Sequence, residues 1–215
     1  MRRRKKTDKL LVIITIAVVV FISTTTYWVD LVIPKDIDIE SGLSFGKKGS
    51  SINLVMFEDF KCKYCKKYAN EIFPIIKEKY LDTNIIDYTI IPVAFIYGSK
   101  PIANAAIAIY ELQQDQFFKF LKIISQKKAK VTTKEDLIEI ASSLEGINLE
   151  IFEDFLEDEV FNKYLKNNLS YAKKIMPSFE VPTAYINGQK VDIDQILNKI
   201  EQTLNHQELT YRMND

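Results

Sequence analysis

The chain contains two cysteines, Cys62 and Cys65, separated by two residues. A pair at this spacing closes too short a loop to make a good structural disulfide, because in the loop-entropy account stabilisation grows with loop length. At the start of a helix, free backbone N–H groups and the helix dipole favour negative charge on the first sulfur. The thiolate is the reactive form of cysteine. The spacing therefore predicts thiol–disulfide exchange, with a bare disulfide or a coincidental pair as the alternative.

Charged residues flank the pair on both sides. Lys61 and Lys63, with two more lysines just after Cys65, should lower the pKa of the first thiol, whereas Glu58 and Asp59 should raise it. The balance of these opposing charges does not follow from the sequence. Tyr64 is expected to contact substrate rather than to react, because a phenol is protonated at neutral pH.

The remaining composition excludes several classes of protein. The single histidine, His206, lies near the C-terminus, which argues against a serine or cysteine hydrolase with a histidine base. A zinc site of cysteines and histidines needs three or four ligands, and the chain has too few, so we expect no metal. Beyond residue 9 the chain has 23 basic and 28 acidic residues, which is the wrong charge balance for nucleic-acid binding.

The N-terminus has the pattern of a membrane anchor. A basic segment over 1–9 precedes residues 10–29, none of which is charged, and Tyr27 and Trp28 would lie at the far interface. We therefore predict a single-pass signal-anchor over 10–30 in the cell membrane, with the catalytic domain extracytoplasmic. A cleaved signal peptide is the alternative, although Ser23-Thr24-Thr25-Thr26 offers no Ala-x-Ala cleavage site. Both interpretations export the domain to surroundings in which thiols tend to be oxidised.

The rest of the chain predicts strands at both ends and helices in the middle. An apolar run over 51–57 and a second over 84–91 indicate strands, and the helical period after Cys62 should be kinked at Pro74. Residues 99 to about 174 have helical patterns throughout, and Asn187-Gly188 predicts a hairpin turn before a final helix. We divide the chain into a basic segment, an anchor, a linker, the first part of an α/β domain, a helical insertion, the second part and a tail: 1–9, 10–30, 31–48, 49–98, 99–174, 175–206 and 207–215.

Several helix starts can be placed from the sequence. Thr132-x-x-Glu135 has the form of a capping box, Ser99 and Asn148 are candidate N-caps, and Asp192 or Asp194 should cap the last helix. The acidic stretch from Glu150 to Glu159 also carries apolar residues at helical spacing. It is therefore interpreted as the solvated face of an amphipathic helix rather than as a cation site.

Two separated motifs resemble one known family. The run Val55-Met-Phe-Glu-Asp-Phe-Lys-Cys-Lys-Tyr-Cys-Lys-Lys-Tyr68, followed by Ile72–Tyr80 and Pro101–Ala108, resembles the active-site strand and helix of the DsbA-like thiol–disulfide oxidoreductases of the thioredoxin superfamily. Val181-Pro-Thr-Ala-Tyr-Ile-Asn-Gly188 resembles the cis-proline loop of that family and the strand after it. The overall style is similar to membrane-anchored enzymes of Gram-positive bacteria. The resemblance implies a thioredoxin fold with an inserted all-helical domain, beside the transmembrane helix.

The resemblance also implies roles for individual residues. Cys62 would be an exposed nucleophile and Cys65 a buried resolving thiol. Pro182 would be cis beside them, and Val181 and Thr183 would complete the loop that contacts the backbone of an extended substrate.

The sequence departs from the family at two positions. Lys63 stands where a proline is common, and Met56 stands where many members have a buried acid that assists the second thiol. Glu58 or Asp59 could replace that acid through water. The alternative is that both are exposed charges at a strand end.

We predict an enzyme that forms disulfide bonds in exported proteins by dithiol–disulfide exchange, needs no cofactor, and is re-oxidised by a quinone-linked membrane partner resembling DsbB. Its substrates would be exported proteins with cysteine thiols. A reductase with the same fold is the first alternative, because the residues between the cysteines, Lys63 and Tyr64, tune the reduction potential. A chaperone or peptide-binding module with secondary redox activity is the other alternative.

Overall fold

A computed structural model describes residues 2–126, 133–176 and 178–214 as one mixed α/β domain preceded by a long helix. Helix α1 spans Arg2–Val32. No helix in these described parts of the chain is both long enough and apolar enough to cross a membrane. The anchor over 10–30 therefore stays a prediction.

The domain is built on a five-stranded sheet in the order β1-β3-β2-β4-β5. Its strands are β1 (Leu43–Gly46), β2 (Ile52–Glu58), β3 (Ile86–Pro92), β4 (Thr183–Ile186) and β5 (Gln189–Val191). β2 and β3 are parallel, with Ile52 opposite Ile86 and Glu58 opposite Pro92, and the other three pairings are antiparallel. The strands predicted over 51–57 and 84–91 and the hairpin predicted at Asn187-Gly188 are confirmed.

Helices connect and cover these strands. They are α2 (Lys63–Glu71), α3 (Phe73–Ile76), α4 (Lys100–Leu112), α5 (Phe117–Gln126), α6 (Lys134–Ser142), α7 (Leu149–Glu157), α8 (Asn162–Ile175) and α9 (Ile196–Asn214). The predicted kink is confirmed, because α2 ends before Pro74, which opens α3 and cannot donate to the preceding turn. A π-helical turn over Lys77–Leu81 then leads to β3. α9 extends through the segment that we expected to be a tail.

Three predicted helix starts differ from the structure. The capping box of α6 is formed one residue later than expected, by Thr133 and Asp136, and Thr132 lies outside the described residues. Ser99 precedes α4 in a helical backbone conformation and forms no side-chain cap, because the extended backbone that an N-cap needs is missing there. Asp192 precedes a 3₁₀ turn, also without a side-chain cap, whereas Asn148 caps α7 as predicted.

The sheet is buried on both faces. Leu54 and Met56 of β2 point into a large core with the helices of the insertion, while Val55 and Phe57 point into a second core against α8. Alternation along one strand thus supplies both cores. Cys62 and Cys65 follow the C-terminal end of β2, whose side chains pack into one core on each face of the sheet.

The linker is attached to the far end of the sheet. The backbone N–H of Lys35 donates to the carbonyl oxygen of Gly188 at 2.8 Å. Gly188 has a φ of +79°, and a Cβ there would lie 2.3 Å from the carbonyl oxygen of Lys35. Only glycine fits this close approach.

Candidate functional site

Cys62 is the residue immediately before α2, with an extended backbone, and Cys65 lies in the first turn of that helix. The Cys62 N–H donates to the carbonyl oxygen of Asp59 at 2.8 Å, which closes the turn between β2 and α2. The side chain of Cys65 is buried, as expected. Cys62 was expected to be exposed, but only 8% of its surface is accessible, because the cis-proline loop covers it.

The start of α2 stabilises a negative charge on Cys62. Its pKa is lowered from 9.0 to about 6, first by a hydrogen bond from the Cys65 thiol and then by the backbone N–H groups of Cys65 and Tyr64. Burial and the charge of Asp59 act in the opposite direction. At pH 7 Cys62 is therefore mostly thiolate, the form that attacks and that leaves readily.

Cys65 has the opposite electrostatics. Burial raises its pKa well above the ordinary value, and the hydrogen bond to Cys62 and the neighbouring Glu58 raise it further. Cys65 therefore stays a neutral thiol wherever Cys62 is a thiolate. Two residues of the same type, one helical turn apart, are driven to different protonation states.

Two of the lysines beside Cys62 differ in their contacts. The ammonium group of Lys61 donates a hydrogen bond to the carbonyl oxygen of Tyr97 at 2.6 Å, whereas Lys63 is exposed. The main groups that lower the pKa of Cys62 are the Cys65 thiol and the backbone, and tuning by Lys61 and Lys63 stays a prediction. Tyr64 does tune the thiol, but through its N–H group, while its ring is 67% exposed.

The cis-proline loop lies directly over the first cysteine. The Val181–Pro182 peptide bond is cis, as the resemblance implied. The Cys62 Sγ is 3.6 Å from the carbonyl oxygen of Val181. Thr183 begins β4 opposite Phe57, is buried, and donates its hydroxyl to the Glu180 carbonyl at 2.8 Å. The pairing of β4 with β2 thus brings two distant motifs together.

Glu58 is buried at the end of β2 rather than exposed. Only 3% of its surface is accessible, and its Oε1 accepts a 3.5 Å hydrogen bond from the Tyr88 hydroxyl. Its pKa is raised from 4.5 to about 8, mainly by burial and to a smaller extent by the charge of Cys62, while the Tyr88 hydrogen bond opposes both. At pH 7 Glu58 is mostly a carboxylic acid.

Asp59, the next residue, is completely buried but well satisfied. Its Oδ1 accepts from the Lys61 N–H at 2.9 Å, and its Oδ2 accepts from the N–H groups of Phe95 and Ile96 at 3.1 and 3.0 Å. This carboxylate joins the turn before Cys62 to the loop after β3. Its role is to hold the backbone of the site in place.

Glu58 separates Cys65 from an open cleft. On one side it borders a small cavity with Cys65, Phe60 and Ile124. On the other side it reaches a cleft of about 580 Å³ between α2 and α5, with aromatic walls that include Phe73 and Phe118. A proton on Glu58 can therefore exchange with solvent without passing the face that carries Cys62. The sequence signal for this residue was an acid directly after a fully apolar strand.

Exposed aromatic side chains lie on the loop after β3 that Asp59 and Lys61 contact. Tyr97 is 96% exposed, Phe95 is 45% exposed, and Phe95 packs edge-on against Phe179 with ring centroids 5.0 Å apart. Exposed rings of this kind suit contact with apolar side chains of another chain. Within the described ranges no group of three or more histidines, cysteines or carboxylates is arranged to hold a metal ion.

Comparison with known proteins agrees with this geometry. A family model described as "Thioredoxin" matches residues 39–206. The chain is 30% identical over 169 residues to "Probable disulfide bond formation protein D" of Bacillus anthracis, covering 75% of this chain and 77% of that protein. It is 27% identical over 168 residues to "Disulfide bond formation protein D" of Bacillus subtilis, covering 74% and 75%.

Solved structures show the same fold. The DsbA of Chlamydia trachomatis superposes with a TM-score of 0.70 at 26% identity, covering 81% of this chain and 98% of that one. Oxidised BdbD of Bacillus subtilis superposes with a TM-score of 0.70 at 24% identity, covering 80% and 98%. The predicted thioredoxin fold of mixed α/β content is confirmed.

Proposed function

Since the chain belongs to the thioredoxin family and is a DsbA-like protein thiol–disulfide oxidoreductase, we propose that it works as an extracytoplasmic oxidase that introduces disulfide bonds into exported proteins. The observation that carries this direction is the separation of the two thiol pKa values, lowered for Cys62 and raised for Cys65. A disulfide whose reduced form contains a stabilised thiolate is a strong oxidant, because stabilising the reduced form favours reduction of the disulfide.

The first step forms a mixed disulfide. A substrate thiolate attacks the Cys62 sulfur of the oxidised pair, the Cys62–Cys65 bond breaks, and the electron pair goes to Cys65. Cys65 takes up a proton because its pKa is strongly raised. Glu58 is the nearby acid that holds a proton at pH 7 and can recover one from the cleft. We therefore assign it the proton transfer to Cys65.

The second step releases the product. Another substrate thiolate attacks the substrate sulfur of the mixed disulfide, and Cys62 leaves as a thiolate that needs no proton near pH 7. The enzyme ends with two electrons more than it had. A quinone-linked membrane partner resembling DsbB would remove these two electrons and the proton held by Cys65, and no bound cofactor would be needed.

Substrate would be held by the loop over Cys62. The carbonyl oxygen of Val181, 3.6 Å from Sγ, faces the position of an attacking peptide. An extended segment placed there can use backbone hydrogen bonds that do not depend on its sequence. Such contacts suit an enzyme with many different clients.

Two single substitutions test this assignment on the full chain in non-ionic detergent. The oxidised wild type should convert a reduced two-cysteine peptide to its disulfide, with one peptide oxidised per enzyme. Cys62→Ser should abolish the reaction, and Cys65→Ser, charged with a mixed disulfide, should retain the peptide, visible by mass spectrometry. Full activity of Cys62→Ser would contradict the assignment.

The location is proposed from α1. From Leu11 to Ile22 its described side chains are apolar or small and uncharged, and the large ones are exposed, a surface that is unfavourable in water. The hydroxyl groups of Thr15, Ser23 and Thr24 donate to carbonyl groups of the preceding turn, as hydroxyls in a lipid environment must. These features support a membrane anchor over 10–30.

Thiol labelling in intact cells tests the location. After mild reduction, a membrane-impermeant maleimide should modify the full chain at Cys62 before lysis, and Cys62→Ser should lose that label. Membranes washed at high pH should retain the wild type, while Val18→Arg with Val19→Arg should release it. Labelling that requires lysis would contradict the proposal.

A further inference from the structure

A patch of positive charge lies beside the reactive cysteine. Between residues 60 and 70 the chain carries four lysines and no acidic residue, although the chain beyond residue 9 has a net negative charge. We define the lysine collar as Lys61, Lys63 and Lys66. All three lie within four positions of Cys62, on the turn before α2 and on its first turn. The local charge is thus the reverse of the domain's.

The collar is not neutralised by its neighbours. Within the described residues, none of its three lysines lies within ion-pair distance of a carboxylate, whereas Lys67, just outside it, pairs with Glu71 at 3.8 Å. Lys61 and Lys66 donate only to the uncharged carbonyl oxygens of Tyr97 and Ile124. These bonds fix the direction of two ammonium groups without cancelling their charge.

The two nearest acids do not compensate the collar at the surface. The carboxyl group of Glu58 is buried and mostly protonated at pH 7. That of Asp59 is fully buried, and three backbone N–H groups occupy its oxygens. The lysines beside Cys62 are therefore in contact with solvent, whereas the two nearest carboxyl groups lie out of reach of an approaching peptide.

This arrangement, together with the proposed oxidase function on which it rests, leads us to propose a substrate preference. The lysine collar selects client segments in which aspartate or glutamate flanks the reacting cysteine. Opposite charges around an opening accelerate encounter and fix the orientation of the partner, and like charges slow it. The collar acts on binding before exchange, while the chemistry stays with the two cysteines.

Charged peptides measure this preference directly. The oxidised full chain is mixed with peptides that hold one cysteine between two aspartates, two serines or two lysines, and mixed-disulfide formation is followed by rapid quench. The quantity of interest is the ratio of the rate constants for the aspartate and lysine peptides. Flanking charge also changes the pKa of the peptide thiol itself. Each ratio is therefore divided by the ratio of the rate constants with which the same two peptides react with an uncharged small-molecule disulfide.

A matched pair of variants separates the collar from net charge. Lys63→Glu changes an exposed collar residue, and Lys48→Glu makes the same charge change in an exposed turn before β2, about 20 Å away at the other end of that strand. At about 10 mM salt Lys63→Glu should lower the normalised ratio about tenfold, and Lys48→Glu should leave it within twofold of wild type. At 1 M salt the three proteins should converge.

Each other outcome contradicts the proposal. Equal normalised ratios for wild type and Lys63→Glu would show that the collar does not select substrate, and equal falls for both variants would assign the effect to net charge. In both cases mixed-disulfide formation with the serine peptide would leave the proposed function uncontradicted. If no peptide reacted with any of the three proteins, the proposed function would fail as well.

Discussion

Cys62 lies at the N-terminus of α2, where the backbone N–H groups of Tyr64 and Cys65 stabilise its sulfur, whereas Cys65 lies one turn later beside a small cavity with Phe60 and Ile124. The first environment lowers the thiol pKa to about 6, and the second raises it. The same side chain thus becomes a leaving group at one position and a proton acceptor at the other. Hydrogen bonds to Cys62 and burial of Cys65 are the largest causes of this difference.

Glu58 and Asp59 repeat the contrast among the acids. Both are buried, but Asp59 accepts three backbone hydrogen bonds and Glu58 accepts one long one from Tyr88. A satisfied carboxylate holds structure, while a poorly satisfied one retains its proton. Glu58 therefore holds a proton beside the neutral thiol of Cys65, while Cys62 is a thiolate. This arrangement lets Glu58 exchange a proton with Cys65 during thiol–disulfide exchange.

The largest expected effect is on alkylation of the reduced chain. At pH 7 iodoacetamide should modify Cys62 at least about 10³ times faster than Cys65, because only Cys62 is a thiolate in contact with solvent. The rate at Cys62 should be half-maximal near pH 6, above which the thiolate predominates. Peptide mapping by mass spectrometry measures both rates, and the denatured chain is the control in which they should become similar. Comparable alkylation rates at Cys62 and Cys65 in the folded chain would show that their thiol pKa values do not differ as described.

Glu58→Gln should slow the proton-dependent steps. The amide keeps the shape of the acid but transfers no proton, so formation of the mixed disulfide should be about 100-fold slower. Rapid-quench kinetics with a neutral peptide measures this step. An unchanged rate would mean that Cys65 obtains its proton elsewhere.

The same substitution should change stability with pH in a defined direction. The pKa of Glu58 is raised from 4.5 to about 8 by folding, so its stabilising contribution is complete below pH 4.5 and is lost as pH rises through 8. The full loss is about 5 kcal/mol of unfolding free energy. In the oxidised chain burial still raises this pKa, without the charge of Cys62. Urea unfolding of that form should therefore show a decline in stability between pH 5 and pH 8 in wild type that Glu58→Gln lacks. A parallel decline in the variant would exclude Glu58 as its source.

Asp59→Asn should destabilise the domain by about 2 kcal/mol, because an uncharged amide cannot replace a carboxylate that accepts three N–H bonds. Urea unfolding at pH 7 gives the value. Asp154→Asn on the exposed side of α7 is the matched control and should change stability by less than about 0.5 kcal/mol. Equal effects of the two would show that Asp59 does not hold the loop.

Tyr88→Phe should have the smallest effect. Loss of its hydroxyl removes the one side-chain hydrogen bond that lowers the pKa of Glu58, so that pKa should rise above 8. The midpoint of the pH dependence of the exchange rate should move upward together with the pKa of Glu58. Tyr68→Phe, which removes only the partner hydroxyl of Tyr88, should move it less. A downward shift in Tyr88→Phe would contradict the assignment.

Much of the fold follows from local patterns. Apolar runs and turn residues placed β2, β3 and the hairpin after β4, and Pro74 placed the break after α2, because each depends on neighbours in sequence. The pair Cys62 and Cys65 was likewise recognised from its spacing alone.

The missed features depend on tertiary packing. Two acids at a strand end are usually solvated, and Glu58 becomes buried only because α2, α5 and Tyr88 of the next strand close over it. The direction in which Lys61 points depends on Tyr97, which lies 36 residues away. The cover over Cys62 comes from Val181, 119 residues later. A pattern of neighbouring residues does not reveal contacts between residues this far apart in the sequence.

The reduction potential of the full chain in glutathione buffers tests the central claim most directly. If the Cys62 thiolate is stabilised as its surroundings indicate, the potential should lie near the strong-oxidant end of the known range, about −120 mV. Its dependence on pH should become weaker above about pH 6, because Cys62 then takes up no proton on reduction. A value near about −270 mV, at the thioredoxin end, would contradict the account and make the enzyme a reductase.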